Sequence, residues 1–299
     1  MHPVCVVMPA RNESKHIAAS IHSIPDSVDW IYVIDDGSTD DTGAIARATL
    51  GARGSVLRTE GLGVGGAIAK GSQAVLNLDQ REWIVVVMAG DGQMDPSDLT
   101  TIIEPIEKKR ADHVKGNRFL HPEGANGMPF IRRLGTWLLS ILTSLASGRK
   151  FGDTQCGYTA TSRGMLETWN WTDTWKGYGY PNWWLMEASR LDFKIEEVPV
   201  KSIYADEKSG INLFKFLPSV SWMLWKGVWR RGFDWYVTGK KSSRIVRWRA
   251  CTLWFGSWLT LFLSLNWPLL FVTVPVTFTL LTHLDRKEAH RRKSGGWAA

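Results

Sequence analysis

Residues 251–284 contain no Asp, Glu, Lys or Arg. As a helix this run of 34 residues would extend roughly 51 Å at about 1.5 Å per residue, well beyond the ~30 Å hydrocarbon core of a bilayer. A charge-free stretch of that length is rare in soluble domains, so the chain is expected in a membrane. The run breaks at "LNWPLL", where Asn266 and Pro268 suit a turn, and basic clusters flank it: "KKSSRIVRWR" before, "DRKEAHRRK" after. Two short spans, 251–265 and 268–284, would keep both clusters on the cytosolic side, as the positive-inside rule favours. Each half is somewhat short of the usual ~20 residues, and a re-entrant hairpin fits the same pattern.

The net charge of +7 is explained by those clusters facing anionic headgroups. No nucleic-acid motif accompanies them, so nucleic acid is not an expected partner. Cys5, Cys156 and Cys251 have neither metal-site spacing nor an obvious disulfide framework, in keeping with a reducing compartment. The chain begins "MHPVCVVMPARNES", too short an apolar run for a signal peptide and without a basic leader. The first 200 residues are therefore expected to be cytosolic.

Ahead of the apolar run, strand and helix signals alternate. "PVCVVMPA", "WIYVIDD", "GSVLRTE", "WIVVVMAG" and "DHVKGNRF" read as strands. Helices are expected at "ESKHIAASIHSI", at "DDTGAIARATL" with Thr39 or Asp40 as N-cap, over 65–76 and over 96–109. This order implies an α/β fold with a mostly parallel sheet covered on both faces. Ligands of such sheets bind beyond the carboxyl ends of the strands, where "PARNE", "DDGSTDDT" and "GDGQMD" all fall. A further helix, 129–148, has two arginines at its head. Over 213–236, Phe214, Trp222, Trp225, Trp229 and Tyr236 share one helical side, with Lys226 and Arg230 beside it. Trp with Arg suits a headgroup layer, although an ordinary core-facing stripe has the same spacing.

Acid-bearing loops at strand ends suit a diphosphate and a divalent cation, because Mg²⁺ and Mn²⁺ take hard oxygen ligands. Asp91 and Gln93, two apart, can aim two oxygens at one ion. Alone this pair is weak, since Asp is common in turns; beside "IDDGSTDDT" it gains weight.

Together "PARNES", "VIDDGSTDDT", "GDGQMDP", "GNRF", "DTQCGY" and "EEVPV" resemble, in order, the family 2 inverting glycosyltransferases, and among them the polyprenyl-phosphate glycosyltransferases. The resemblance covers about residues 3–240. It implies a GT-A type nucleotide-sugar fold followed by membrane-associated helices. Pro9, Ala10, Arg11 and Glu13 would line the nucleotide pocket, and Asp35 and Asp36 the base and ribose region. Asp91 and Gln93 would hold Mg²⁺ or Mn²⁺ on the diphosphate. Arg118 and Arg132 or Arg133 would face the acceptor phosphate, and Asp153 and Gln155 would close the sugar site. Ala89 departs from the pattern, since relatives often carry Asp there.

Elementary chemistry points to the same acceptor. A sugar hydroxyl needs a general base, whereas a polyprenyl phosphate is already anionic and needs only positioning and charge neutralisation. Guanidinium groups near a membrane-facing helix meet that need. "QxxRW", typical of processive synthases, is absent. "GLGVGG" follows the third strand rather than the first, which argues against a dinucleotide site; its glycines suit backbone approach to a nucleotide or close helix packing. The histidines have no metal spacing.

The expected organisation is a GT-A domain at 1–210, interfacial amphipathic helices at 211–249, transmembrane helices at 250–285 and a basic cytosolic tail at 286–299. The expected partners are a UDP- or GDP-linked sugar, a polyprenyl phosphate and the membrane. Two rivals are transfer to another lipid or lipid-linked glycan, and a non-catalytic membrane scaffold of the same fold.

Overall fold

In the computed structural model, residues 2–203, 213–238 and 243–293 are described. Seven strands form one sheet: β1 (Val4–Ala10), β2 (Trp30–Asp36), β3 (Gly54–Thr59), β4 (Ile84–Val87), β5 (His113–Asn117), β6 (Thr159–Ser162) and β7 (Ile195–Pro199). Their order is β3-β2-β1-β4-β6-β5-β7. All neighbours are parallel except β6, which runs antiparallel to both β4 and β5. That reversal brings the loop before β6, carrying Asp153 and Gln155, to the same sheet edge as the carboxyl ends of β1, β2, β4 and β5.

The helices are α1 (Ile17–Ser23), α2 (Thr42–Leu50), α3 (Val64–Leu76), α4 (Leu99–Glu107), α5 (Phe130–Ser147), α6 (Arg163–Glu167), α7 (Tyr180–Arg190), α8 (Leu213–Gly232), α9 (Arg244–Ser264) and α10 (Thr273–Lys293). Alternation along β1 explains the two cores. Val4, Val6 and Met8 face α1, α2 and α4 through Ile17, Ala46 and Ile102. Cys5 and Val7 face α3, α6 and α7 through Ile68, Leu166 and Trp184. Because both faces are covered, the central strands β1 and β4 read as continuous apolar runs. α2 starts at Thr42 after Asp41, later than Thr39 or Asp40 would place it: the Asp40 carboxylate turns forward to accept from Thr42 N–H at 3.1 Å.

α5, α7 and α8 share a third core around Ala146, Trp183, Met186, Val220 and Met223. The aromatic stripe of α8 divides between two surroundings. Trp222 is exposed, whereas Trp229 packs edge-on against Trp254 of α9 at 4.4 Å between centroids. Tyr236 is buried and donates to Asp285 of α10. The Phe214 side chain and the segments 204–212 and 294–299 lie outside the described residues. Arg231 ties this layer together, donating to Ala146 O of α5 at 2.8 Å and to Asp285 at 2.8 Å. α9 and α10 pack side by side, and one described segment, Pro268–Arg292, is long and apolar enough to cross a membrane.

Candidate active site

The loop after β1 is tied to the loop after β2. Asn12 N–H donates to Ser38 Oγ at 3.0 Å, and Glu13 N–H donates to Thr42 Oγ1 at 2.8 Å. Pro9 and Ala10 are buried in β1, Arg11 is exposed and Glu13 is half-buried. Asp35 and Asp36 are buried at the end of β2, and their oxygens hold backbone N–H groups and neighbouring side chains. Asp35 accepts from Ser38 N–H (2.9 Å) and Arg58 (3.0 Å). Asp36 accepts from Thr59 Oγ1 (2.6 Å), Leu62 N–H (2.6 Å) and Gly63 N–H (2.8 Å), so it sets the entry to α3.

The glycines of "GLGVGG" serve close packing. Lys176 O accepts from the N–H groups of Gly65 (2.8 Å) and Gly66 (3.3 Å), capping α3. A Cβ on Gly65 would lie 2.1 Å from Trp175 O.

Beyond β4, Gln93 N–H donates to Asp91 Oδ1 at 3.0 Å, and both residues are half-buried. Gln93 O accepts from Ile203 N–H at 3.0 Å, so the loop docks on the segment after β7. Ala89 N–H points at the Met94 thioether, 3.4 Å away. Asp95 caps Ser97 N–H (2.9 Å), and Asp98 accepts from Lys201 N–H (2.6 Å). Asp91 and Gln93 offer hard oxygens that fit Mg²⁺ or Mn²⁺. Among the described residues no group of three His, Cys, Asp or Glu converges to complete such a site. An ion held there would need its remaining ligands from a bound diphosphate and water.

Arg118 and Asp153 form a buried bidentate pair: Nε–Oδ2 2.7 Å and NH2–Oδ1 2.9 Å, with Arg118 N–H adding 3.1 Å. Burial pushes the Asp153 carboxyl up, but hydrogen bonds and charge from Arg118 outweigh it and hold it below the usual carboxylate range. Gln155 N–H donates to Asp153 Oδ1 at 3.1 Å, and its amide donates to Asn182 at 2.7 Å.

Next to this pair lies a groove of about 410 Å³ lined by Phe119, Phe130, Arg133, Leu134, Trp137 and Gly152. Arg133 stands 5.9 Å over the Phe119 ring. Arg132 is exposed on the same first turn and is not part of the lining. The structure thus gathers Arg118, Arg133, Asp153 and Gln155 around this groove at the sheet edge. Sequence reasoning missed the apolar lining; the signal was available in "FIRRLGTW", where apolar residues surround the arginines.

The parallel sheet, its acid-bearing strand-end loops and the reversed sixth strand define a GT-A-like α/β transferase. The sequence profile of glycosyl transferase family 2 matches residues 5–169. The chain belongs to glycosyl transferase family 2 and is a glycosyltransferase. It is 28% identical over 219 residues to a UDP-N-acetylglucosamine–dolichyl-phosphate N-acetylglucosaminyltransferase of Methanococcus voltae, covering 68% of this chain and 86% of that protein. It is 30% identical over 158 residues to a dodecaprenyl-phosphate galacturonate synthase of Rhizobium johnstonii, covering 50% and 45%. The fold is similar to glucosyl-3-phosphoglycerate synthase of Mycobacterium tuberculosis solved with Mn²⁺, UDP and glucosyl-3-phosphoglycerate: TM-score 0.56, 22% identity, covering 77% of this chain and 80% of that one.

Proposed function

We propose that the protein transfers one sugar from a nucleotide-diphosphate sugar to a polyprenyl phosphate at the cytosolic membrane face, with inversion at the anomeric carbon. The groove beside Arg118 carries this reading: apolar and aromatic walls with Arg133 at the wall suit an amphiphile with an anionic head and a long apolar tail. Relatives named for dolichyl- and dodecaprenyl-phosphate acceptors support the same class, and the apolar segment Pro268–Arg292 supports membrane attachment.

In this reading the loops after β1 and β2 hold the nucleotide, with Arg11 and Glu13 at its edge and Asp35 and Asp36 keeping the loops in shape. Asp91 and Gln93 hold Mg²⁺ or Mn²⁺, which when bound neutralises the leaving diphosphate. The acceptor needs no base, because a phosphate oxygen is already a nucleophile at pH 7. Arg133, with Arg132 near it, draws the phosphate head into the groove, and the Arg118–Asp153 pair with Gln155 fixes the sugar-side wall. A single displacement inverts the configuration. The organisation that goes with this is a catalytic domain at 1–210, an interfacial layer at 211–249, two short spans within 250–285 and a cytosolic tail.

The test is to incubate the full chain in membranes with UDP- and GDP-linked sugars, dolichyl or undecaprenyl phosphate, and Mg²⁺ or Mn²⁺. Labelled sugar should appear in the lipid extract with one donor. No labelled lipid with any donor, or label on a neutral lipid, overturns the proposal.

A further inference from the structure

Glu197 of β7 lies in parallel register with Lys115 of β5, in the "EEVPV" motif. Its carboxylate accepts from Gly152 N–H with both oxygens (2.9 and 3.0 Å), from Asp153 N–H at 3.1 Å and from Asn117 Nδ2 at 3.2 Å. The other end of the Asn117 amide accepts from Phe119 N–H at 2.9 Å. Two separate loops therefore hang on one carboxylate: 117–119 after β5 and 152–153 before β6.

Those loops carry the parts that matter on the acceptor side. Phe119 and Gly152 are walls of the groove, and Asp153 is the acid that grips Arg118. The approach is close: a Cβ at 152 would sit 2.4 Å from Asn117 Nδ2, so a larger residue there would displace the bridging amide. Bonds from backbone N–H to a carboxylate are stronger than neutral ones, and three donors at one carboxylate leave the turn little freedom. Stapling one turn would require one such bond. Linking the groove wall to the ion pair requires the set observed.

We propose that Glu197, with Asn117 as its bridge, is a positioning residue for the acceptor side of the site. It holds the Gly152–Asp153 turn and the Phe119 wall so that the groove and its Arg133 meet the lipid phosphate in one geometry. The inference rests on the transfer reaction proposed above.

The test compares wild type, Glu197→Ala and Glu197→Gln as full chains in lipid nanodiscs. In Glu197→Ala, kcat/KM for polyprenyl phosphate should fall by about 100-fold, the scale of a ~1 Å misplacement, while KM for the nucleotide sugar stays within about twofold. Glu197→Gln keeps one acceptor oxygen for the turn and should recover about tenfold of the loss. Equal changes in both KM values, or equal losses in the two variants, overturn the proposal. Amide exchange is measured on the same samples. Glu197→Ala should speed exchange in peptides covering 118–119 and 152–155 while β1, β2 and β4 stay protected; unchanged exchange at 152–155 overturns the positioning role. If wild type transfers nothing, the reaction fails, and the exchange arm still decides the role of Glu197.

Discussion

Arg118 and Asp153 sit together out of water, and each satisfies the charge of the other. Removing one partner of such a pair leaves a buried charge, at a cost of about 3–5 kcal/mol, whereas replacing both with apolar groups can be neutral. Arg118→Met should therefore lower the unfolding free energy by that amount, and Arg118→Met/Asp153→Leu should recover most of it without recovering transfer. Denaturant titration reads the first effect and the lipid assay the second. Asp91 stands differently, as the acid of a loop whose position 89 is Ala and whose Asp95 and Asp98 are turned to capping and anchoring. Asp91→Ala should abolish transfer while membrane association persists. Mn²⁺ binding, followed by electron paramagnetic resonance, should be weak without nucleotide diphosphate and strengthen with it. Ala89→Asp should raise metal affinity in the absence of donor; tight metal binding by the unliganded wild type would contradict this account of Ala89.

At the scale of elements, α3 and α7 show how packing decides what a motif does. Gly65→Ala forces a methyl against Trp175 O and should lower the melting temperature by several degrees, since ~1 kcal/mol shifts a domain of this size by about 2–4 °C. Gly164→Ala, where a Cβ meets nothing within 4 Å, should leave it nearly unchanged. His113 lies against Trp184 of α7, with Nδ1 2.9 Å from Thr161 Oγ1, and burial pulls its pKa from 6.5 down to about 3. In that window the unfolded chain takes up a proton that the folded chain refuses, so stability should fall as pH drops from 6.5 toward 3. His113→Leu should remove part of that slope in pH-dependent unfolding. β1, β2 and β4 were legible because burial on both faces leaves a continuous apolar run. β6 was not: "TATS" is short and polar, and its antiparallel course depends on neighbours distant in sequence. The stripe on α8 was visible as a stripe, yet spacing alone does not distinguish lipid from the tryptophans of α9. Asp36 and the "GLGVGG" glycines were found as features, but their hydrogen-bond partners at 59–63 and at Lys176 exist only once the chain is folded.

For the whole molecule, α5 connects two parts that the sequence shows separately: the glycosyl transferase family 2 domain and an apolar C-terminal segment. α5 lines the groove at its amino end and meets Arg231 at its carboxyl end, through which it is bound to α8 and to Asp285 of α10. The groove is thus built on the same helix that leans on α8 and, through Arg231, on α10. The ordered motifs made the reaction class readable from sequence, whereas the groove required the fold, because Phe119, Gly152 and Trp137 converge from three different stretches. In the proposed reaction this groove receives the lipid phosphate. The full chain in nanodiscs, irradiated with a diazirine-bearing polyprenyl phosphate, should be labelled in peptides covering residue 119 and residues 130–137, and excess polyprenyl phosphate should suppress that labelling. Labelling confined to α9 and α10, or unaffected by the competitor, would contradict that role for the groove.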